Sequence, residues 1–177
     1  MISVCIPSYN CDITTLVMLL LRYQEPKDHD FEIVVIDDAS MDKYKVANRS
    51  ILGSNRVTYI ELDKNIGRSA IRNLFFNYTK FEYLLFLDCD SIILSPNSFL
   101  RNYFDQISDK VGVTCGGRKY SGKPGRRKYV LRWKFGVRRE FKMAKERSQN
   151  PYHSFMTNNF LIKRDVLEAI KFEEKLK

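Results

Sequence analysis

The five apolar residues from Tyr83 to Leu87 lead directly into Asp88-Cys89-Asp90. A strand that is apolar on both faces is typical of the middle of a mostly parallel sheet, and ligands of such sheets bind at the carboxyl ends of the strands. In extended chain, residues i and i+2 point the same way, so Asp88 and Asp90 repel each other unless a cation lies between them. This stretch therefore predicts a divalent-metal site, with a pair of turn-capping carboxylates as the alternative.

The rest of the chain alternates apolar runs with segments of helical spacing, which predicts a parallel α/β sheet with helices on both faces. A chain of 177 residues, 44% of them apolar, is most simply one domain. The predicted strands cover 3–7, 31–36, 56–62, 83–87, 111–115 and 160–162. The predicted helices cover 13–24, 43–50, 68–78, 95–106 and 164–170.

The cysteine and histidine content restricts the chemistry of the chain. The four cysteines show no metal-ligand spacing, and two histidines leave little scope for imidazole triads or zinc cages; these residues are Cys5, Cys11, Cys89, Cys115, His29 and His153. The longest apolar runs are too short to span a bilayer, and Met1 leads straight into a strand without a basic leader. We therefore expect a cytoplasmic protein with reduced thiols.

The net charge of +9 is concentrated in one segment. Residues 118–147 contain thirteen Lys or Arg and two Glu, a local charge of +11, which leaves −2 for the remainder. A basic segment on a nearly neutral domain indicates a local anionic partner. Its interleaved aromatic and aliphatic residues allow shallow insertion into an anionic membrane, so we expect peripheral contact with the inner face of the cell membrane. The alternative is a solvated helical face whose aromatic residues pack on the sheet.

Three polar loops, at 7–10, 37–42 and 88–90, are expected at one edge of the sheet. A nucleotide needs a flat face for its base, an acceptor for base or ribose donors, and a cation for its phosphates, and the loops offer Tyr9, Asp38 and Asp90 in that order. The helix start at Gly67-Arg68-Ser69, with Arg72 one turn later, adds amide donors and positive charge for an anion. Alternatively, Arg72 only forms a salt bridge under the sheet.

Four segments in this order are similar to the successive motifs of family 2 glycosyltransferases, which are inverting enzymes with the Rossmann-like GT-A fold. They are Ser3-Val-Cys-Ile-Pro-Ser-Tyr-Asn10, Ile33-Val-Val-Ile-Asp-Asp-Ala-Ser-Met-Asp42, Asn65-Ile-Gly-Arg-Ser-Ala-Ile-Arg-Asn73 and Phe86-Leu-Asp-Cys-Asp90. Residues 158–165 resemble a later strand and basic turn of the family more loosely. The resemblance implies metal-assisted sugar transfer, with inversion, from a nucleoside-diphosphate sugar to a saccharide or lipid-linked acceptor, in surface polysaccharide or glycan synthesis. It also implies a donor-binding half at 1–115 and an incomplete acceptor-side half at 116–177.

The same resemblance implies roles for individual residues. Tyr9 would pack on the base and Asp38 would accept from the base ring, while Asp90 would bind Mn²⁺ or Mg²⁺ directly. Asp88 would contact the ribose or the metal and its water shell. The other nucleotide-binding residues are expected to be Pro7, Arg68 and Arg72.

The general base of the family follows a stretch like Phe172-Glu-Glu174, so we expect it beyond Lys177. Within this chain, the candidates for the base are Glu173 and Glu174.

Other functions remain open from the residues alone. Gly117 to Pro124 matches the phosphate-loop pattern except at its last position, where Pro124 replaces the Ser or Thr that holds Mg²⁺, which disfavours an NTPase. The basic, aromatic segment also fits a nucleic-acid-binding module, but the acidic loops would repel a phosphate backbone, so we expect no nucleic-acid partner. A nucleotidyltransferase would share the donor site and differ in its acceptor.

Overall fold

A mixed, mostly parallel sheet runs through the centre of the protein. The computed structural model describes residues 1–24, 26, 28–120, 122, 124–152 and 155–175. Within these ranges, six strands form one sheet: β1 (Ile2–Ser8), β2 (Phe31–Asp37), β3 (Val57–Glu61), β4 (Tyr83–Leu87), β5 (Val113–Cys115) and β6 (Asn159–Lys163).

Strand direction determines which loops meet at one edge of this sheet. The strand order is β3-β2-β1-β4-β6-β5, and β3, β2, β1 and β4 are mutually parallel. Their carboxyl ends, including Ser8, Asp37 and Leu87, therefore lie along the same edge. Since β6 is antiparallel to β4 and pairs Asn159 with Leu87, its amino end reaches that edge too.

Helices flank both faces of the sheet, as predicted. Among the described residues they are α1 (Thr14–Leu21), α2 (Asp42–Asn48), α3 (Arg68–Leu74), α4 (Pro96–Phe104), α5 (Val130–Phe135), α6 (Ala144–Gln149) and α7 (Arg164–Ile170). Helical turns extend three of these helices. The 3₁₀ turns are Arg49–Gly53 after α2, Phe75–Asn77 after α3 and Arg127–Tyr129 before α5. A π-helical turn, Gly136–Glu140, follows α5. None of the described helices is both long enough and apolar enough to cross a bilayer.

Alternating side chains of β4 divide between two apolar cores. Leu85 packs with Leu20 of α1 and Leu100 of α4 on one face of the sheet. Phe86 packs with Phe75 and with Leu167 of α7 on the other face. Burial on both faces explains why this strand lacks polar residues, and it confirms the predicted central position of β4 in an α/β fold.

Several predicted elements end earlier or begin later than their sequence patterns indicate, and hydrogen bonds explain two of these differences. The first helix ends at Leu21 because the amides of Arg22 and Tyr23 bond three residues back, to Leu19 and Leu20, which tightens its last turn. The fifth strand begins at Val113 because the Val111 amide closes a turn on Ser108. Of the predicted features, Lys123 of the phosphate-loop pattern, His153 and the terminal Lys177 lie outside the described residues.

Candidate functional site

The loop after β1 is tied to the loop after β2. Asn10 donates its amide to Ser40 Oγ at 2.7 Å, and its own Oδ1 accepts the Met41 amide at 2.9 Å. Asn10 has φ +50°, a left-handed conformation that Asn tolerates better than most residues. The preceding residue, Tyr9, is 55% exposed and offers an open ring face, while Pro7 lies within β1, paired with Ile36.

Asp38 connects this pair of loops to the start of α3. Its Oδ1 accepts the Ile66 amide at 2.7 Å and its Oδ2 accepts the Gly67 amide at 3.0 Å. The neighbouring Asp37 is fully buried, where it accepts from the Ser40 amide and the Tyr59 hydroxyl. Each oxygen of Asp38 keeps a second lone pair, so its predicted contact with a base stays a prediction beside this structural role.

Arg72 and Asp88 form an ion pair at the same edge. Arg72 is 8% exposed, and its Nη2 donates to Asp88 Oδ1 at 3.0 Å while its Nη1 donates to the carbonyl of Arg68, the first residue of α3. Burial raises the pKa of Asp88, Arg72 opposes that shift, and repulsion from Asp90 adds to it. The salt bridge that the sequence left as an alternative for Arg72 is present, and it lies at the edge where the polar loops meet.

Three buried polar atoms near this edge have no hydrogen-bond partner among the described residues. They are Ser8 Oγ at the end of β1, Arg72 Nε beside Asp88, and Asn158 Oδ1 just before β6. The Asn158 carbonyl accepts the Asp88 amide at 3.1 Å, which places Asn158 directly against the acidic loop. Buried polar groups are normally satisfied, so these atoms mark positions that a bound polar molecule would satisfy.

Ser8 and Asn158 were not predicted as site residues. Ser8 lay in the first motif but carries no charge or ring that distinguishes it. Asn158 was visible only as part of the weaker motif at 158–165, because sequence pattern does not report that β6 runs antiparallel and brings its amino end to the site.

The two acidic residues of the Asp-Cys-Asp sequence differ in their surroundings. Cys89 packs against the first apolar core, and the Cys11 thiol donates to its carbonyl oxygen at 3.4 Å. Asp88 is partly buried by Arg72, whereas Asp90 is exposed. All four cysteines are free thiols in the structure.

The described residues can supply a metal ion with few ligands of their own. No cluster of three or more His, Cys, Asp or Glu side chains with metal-binding geometry occurs among them. Asp90 and the second oxygen of Asp88 are the oxygen donors available here, because Asp88 Oδ1 faces Arg72. This donor set fits Mg²⁺ or Mn²⁺, which often bind through one or two carboxylates, with water and substrate phosphates completing the shell.

The basic segment 118–147 contains a partly buried carboxylate, Glu140, that binds three of its side chains. Glu140 accepts from Arg118 at 2.8 Å, and it also accepts from Arg132 and from the Tyr120 hydroxyl. Burial alone would raise the pKa of Glu140, but the bonds from Arg132, Tyr120 and Arg118 lower it to about 2. Arg118 is also close enough to Asp88 to lower the pKa of that carboxyl, so the segment reaches the edge of the sheet that carries the site.

The two acidic candidates near the end of the chain lie beside α3. Glu174 Oε1 accepts from Asn73 Nδ2 at 2.8 Å, and Glu173 Oε1 accepts the Lys175 amide at 3.0 Å. Phe172 packs on the Arg72 guanidinium, whose carbon lies 5.7 Å from the centre of the ring. The segment thus contacts the site through Arg72, and the role of either carboxylate as a general base stays a prediction.

The family model for glycosyl transferase family 2 matches residues 3–171. The chain belongs to this family. The match extends over the second half of the chain, including β6 and α7, where the motifs recognised in the sequence are weakest. In the structure, the acidic loops of the site follow β2 and β4, and the amino end of β6 reaches the same edge of the sheet. The family match includes all three of these strands.

Two curated relatives of this family 2 chain are much longer proteins, and the chain matches only part of each. A poly(ribitol-phosphate) beta-glucosyltransferase of Bacillus spizizenii is 34% identical over 122 residues, which is 67% of this chain and 19% of that protein. A chondroitin synthase of Escherichia coli is 28% identical over 123 residues, which is 67% of this chain and 17% of that protein. The chain thus matches less than a fifth of the length of either relative.

A solved structure confirms the predicted GT-A fold. The mannosyltransferase PcManGT from Pyrobaculum calidifontis, in complex with GDP-Man and Mn²⁺, superposes with a TM-score of 0.71 at 21% sequence identity. The superposition covers 98% of this chain and 47% of the mannosyltransferase chain. At 21% identity, this similarity is evidence for the fold only.

Proposed function

We propose that this family 2 chain is the donor-binding part of an inverting glycosyltransferase. It would move a sugar from a nucleoside-diphosphate sugar to a saccharide or lipid-linked acceptor in surface polysaccharide or glycan synthesis. The observation that carries the proposal is the convergence of an open aromatic ring, a buried arginine and two carboxylates at one sheet edge: Tyr9, Arg72, Asp88 and Asp90. In this proposal residues 1–115 bind the donor and residues 116–177 line the acceptor side.

The base and ribose are the parts of the donor that the first two loops would hold. The exposed ring of Tyr9 offers a stacking surface, and Asn10 fixes the loop that carries it by bonding to Ser40 and Met41. Asp38 holds the Ile66 and Gly67 amides and retains lone pairs for a donor group on the base. These contacts pre-organise the pocket, which reduces the entropy lost when a nucleotide binds.

Arg72 and Arg118 would provide positive charge near the diphosphate. Arg72 is fixed by Asp88 and by the Arg68 carbonyl, and its Nε remains available as a donor. Arg118 is fixed by Glu140 and acts on Asp88 through its charge. Cations held in place near a bond that breaks toward a negative leaving group stabilise the transition state without reorganisation.

Asp90 and the second oxygen of Asp88 would hold the Mn²⁺ or Mg²⁺ ion. When bound, the ion would offset the negative charge that grows on the leaving nucleoside diphosphate. The chain's own part is a turn, closed by the Ser91 amide on the Asp88 carbonyl, that keeps Asp88 and Asp90 close together while Cys89 packs against the core. Burial is the main cause of the raised pKa of Asp88, and repulsion from Asp90 adds to it. A cation between the two carboxylates would relieve that repulsion.

A thermal-shift panel of UDP-, GDP-, TDP- and CDP-sugars, each without metal, with Mn²⁺ and with Mg²⁺, tests the proposal. A ligand at a hundredfold excess over its Kd stabilises the folded state by about 2.7 kcal/mol, which raises the Tm of a chain this size by about 5–10 °C. We expect one donor type to stabilise the chain strongly, and only when Mn²⁺ or Mg²⁺ is present. If no nucleotide sugar raises the Tm with either ion, the donor site is wrongly assigned.

We also propose that the outer face of α5 contacts an anionic membrane surface. Leu131 is 80% exposed and Phe135, one turn later, is 55% exposed. Lys128, Lys134 and Arg138 are exposed at neighbouring positions of the same helical stretch. Apolar side chains surrounded by basic ones suit shallow insertion at an anionic lipid surface.

Liposome co-sedimentation across a salt series tests this contact. We expect binding only to vesicles with anionic lipid, weaker binding at higher salt, and loss of binding on replacing both Leu131 and Phe135 by Ser. Val46→Ser, at an exposed residue of α2, is the matched control. Binding that is independent of lipid charge, or that persists in the double variant, contradicts the proposal.

A further inference from the structure

A large open cavity begins at Asp90 and runs along the edge strand β5. Its volume is about 1840 Å³, and its walls come from the 90–99 region, β5, the basic segment and the residues around β6. Among the described lining residues, five are cations and one is a carboxylate. The cations are Arg118, Lys119, Arg132, Arg147 and Lys171, and the carboxylate is Asp90.

Among the cations of the cavity wall, Arg147 has a guanidinium that is held in place and still has free donors for an anion. Its Nη1 donates to the Lys142 carbonyl at 3.0 Å and its Nη2 to the Cys115 carbonyl at 3.3 Å. These two bonds fix the guanidinium plane, and within the described part of the chain no carboxylate pairs with it. A guanidinium has five N–H donors, so three remain for a ligand.

The neighbouring charges leave the wall positive. Arg118 and Arg132 share the single carboxylate of Glu140, so this trio keeps a net positive charge. Lys119 is exposed beside Arg118 and makes no ion pair with any described carboxylate. An anionic ligand would therefore meet an excess of positive charge along this wall, with fixed donors at Arg147.

Aromatic side chains line the same cavity. Tyr152 is fully exposed and Phe155 is 49% exposed, and both belong to the lining of the cavity. Exposed rings beside hydrogen-bonding groups are typical of sites for sugar-sized ligands, because the apolar face packs while polar groups orient the ligand. The cavity thus combines stacking surfaces with a positive wall.

We propose that this cavity binds an acceptor chain that carries anionic groups, phosphodiester or carboxylate, with Arg147 as the residue that binds one of them. The inference rests on the proposed function, because it takes the end of the cavity at Asp90 as the place where donor and acceptor meet. A neutral glycan would leave the fixed donors of Arg147 without an anionic partner. An anionic polymer would pair with Arg147 and place its next residues along Lys119 and Arg118.

Isothermal titration of defined oligomers at 150 mM salt tests the proposal, since exposed charges more than about 8 Å apart are largely screened there. The three probes are a phosphodiester-linked polyol oligomer, a hexuronate-containing oligosaccharide, and a neutral oligosaccharide of equal length. We expect one of the anionic probes to bind at least tenfold more tightly than the neutral one. The stronger of the two identifies the anionic group.

The variants separate Arg147 from general surface charge. We expect Arg147→Ala to weaken binding of the anionic probe by about 10–100-fold, as for loss of a charged hydrogen-bond pair. Arg139→Ala removes an exposed charge of the same segment outside the cavity lining and should change binding by less than about twofold. Lys119→Ala, at an exposed residue, should weaken binding without any risk to folding.

Two results would overturn the inference. One is equal binding of the anionic and neutral probes by the parent chain. The other is an Arg139→Ala loss as large as the Arg147→Ala loss. Because these titrations contain no nucleotide, failure of every nucleotide sugar to bind would count against the proposed function alone.

Discussion

At the scale of single residues, Asp38 secures two parts of the site at once. It follows β2 directly, and its carboxylate accepts the amides of Ile66 and Gly67 just before α3. Gly67 has φ +85°, a conformation that Gly adopts without strain. The family resemblance pointed to Asp38 as a contact for the base, whereas its bonds to the loop could not be predicted, because 28 residues separate the partners.

Replacing Asp38 by Asn tests this structural role. The amide group of Asn offers one acceptor oxygen where two backbone amides need one each, so one partly buried donor loses its partner. We expect a loss of about 2 kcal/mol in the free energy of unfolding and a fall in Tm of about 4–8 °C. Asp63→Asn, at an exposed residue without a described side-chain hydrogen bond, should leave the Tm within about 1 °C of the parent value.

Tyr9 should govern binding of the base and not of the sugar. Its ring is 55% exposed, so Tyr9→Ala costs little folding energy. Stacking of a base on an aromatic ring is worth roughly 1–3 kcal/mol, so the substitution should raise the Kd of free nucleoside diphosphate and of nucleotide sugar by about 5–150-fold alike. Fluorescence or calorimetric titration measures both constants.

Tyr78→Ala is the matched control for Tyr9. Tyr78 is 42% exposed and lies beyond the carboxyl end of α3, away from the edge that carries the site. The Tyr78→Ala variant should bind nucleotide with the same Kd as the parent chain. A Tyr9→Ala loss confined to the sugar conjugate would remove Tyr9 from the base pocket.

At the scale of elements, sequence pattern predicted the strands that end in acidic loops better than the basic segment. The apolar run before Asp37 is rich in β-branched residues, and the run before Asp88 combines leucines with two aromatic residues. Both runs are short and bounded by polar turns, which favours buried strands. The segment 118–147 shows no comparable periodicity. In the structure, Glu140 forms ion pairs with both Arg118 and Arg132, and a charge run alone does not reveal which of its two carboxylates makes such contacts.

Acid should release the basic segment through Glu140. A carboxylate whose pKa is lowered on folding stabilises the folded state above its unfolded pKa of about 4.3, and that stability is lost as the pH falls through about 2. Trp133 is the only tryptophan of the chain and lies in α5, so its fluorescence reports on this segment. We expect a fluorescence transition between about pH 4.5 and 2 in the parent.

Glu140→Gln should remove that transition, because Gln cannot form the same charged bonds with Arg118 and Arg132. Its Trp133 fluorescence at pH 7 should already resemble that of the acid form. Glu146→Gln, which alters only the exposed first turn of α6, should keep the transition. An unchanged acid transition in Glu140→Gln would show that Glu140 does not hold the segment.

At the scale of the whole molecule, the site depends on strand order and direction. Sequence alternation predicted a parallel sheet through β4, and this part of the fold is confirmed by β1, β2 and β3. It could not predict that β6 inserts antiparallel between β4 and β5. That pairing joins residues about 75 positions apart, such as Leu85 and Leu161, and local pattern contains no information on such distant partners.

The insertion of β6 has a direct consequence for the site. It brings Asn158 against the Asp88 loop, and its residues line the same cavity as Asp90. The carboxylates of the site could therefore be named from sequence, but the neutral residue that supports them could not. Asn158 reaches the site because of the order and direction of the strands. The sequence determines these only through the packing of the complete sheet.

Calorimetric titration of a nucleoside diphosphate into the parent chain and Asp90→Asn, each with and without Mn²⁺, tests the central claim most directly. Asn keeps the shape of the side chain and removes the charge, and Asp90 is exposed, so the fold should be unaffected. The parent should bind at least tenfold more tightly with Mn²⁺ than without it, whereas Asp90→Asn should bind weakly under both conditions. If Asp90→Asn shows the same Mn²⁺-dependent affinity as the parent, the edge formed by Tyr9, Asp38, Asp88 and Asp90 is not a metal-assisted donor site.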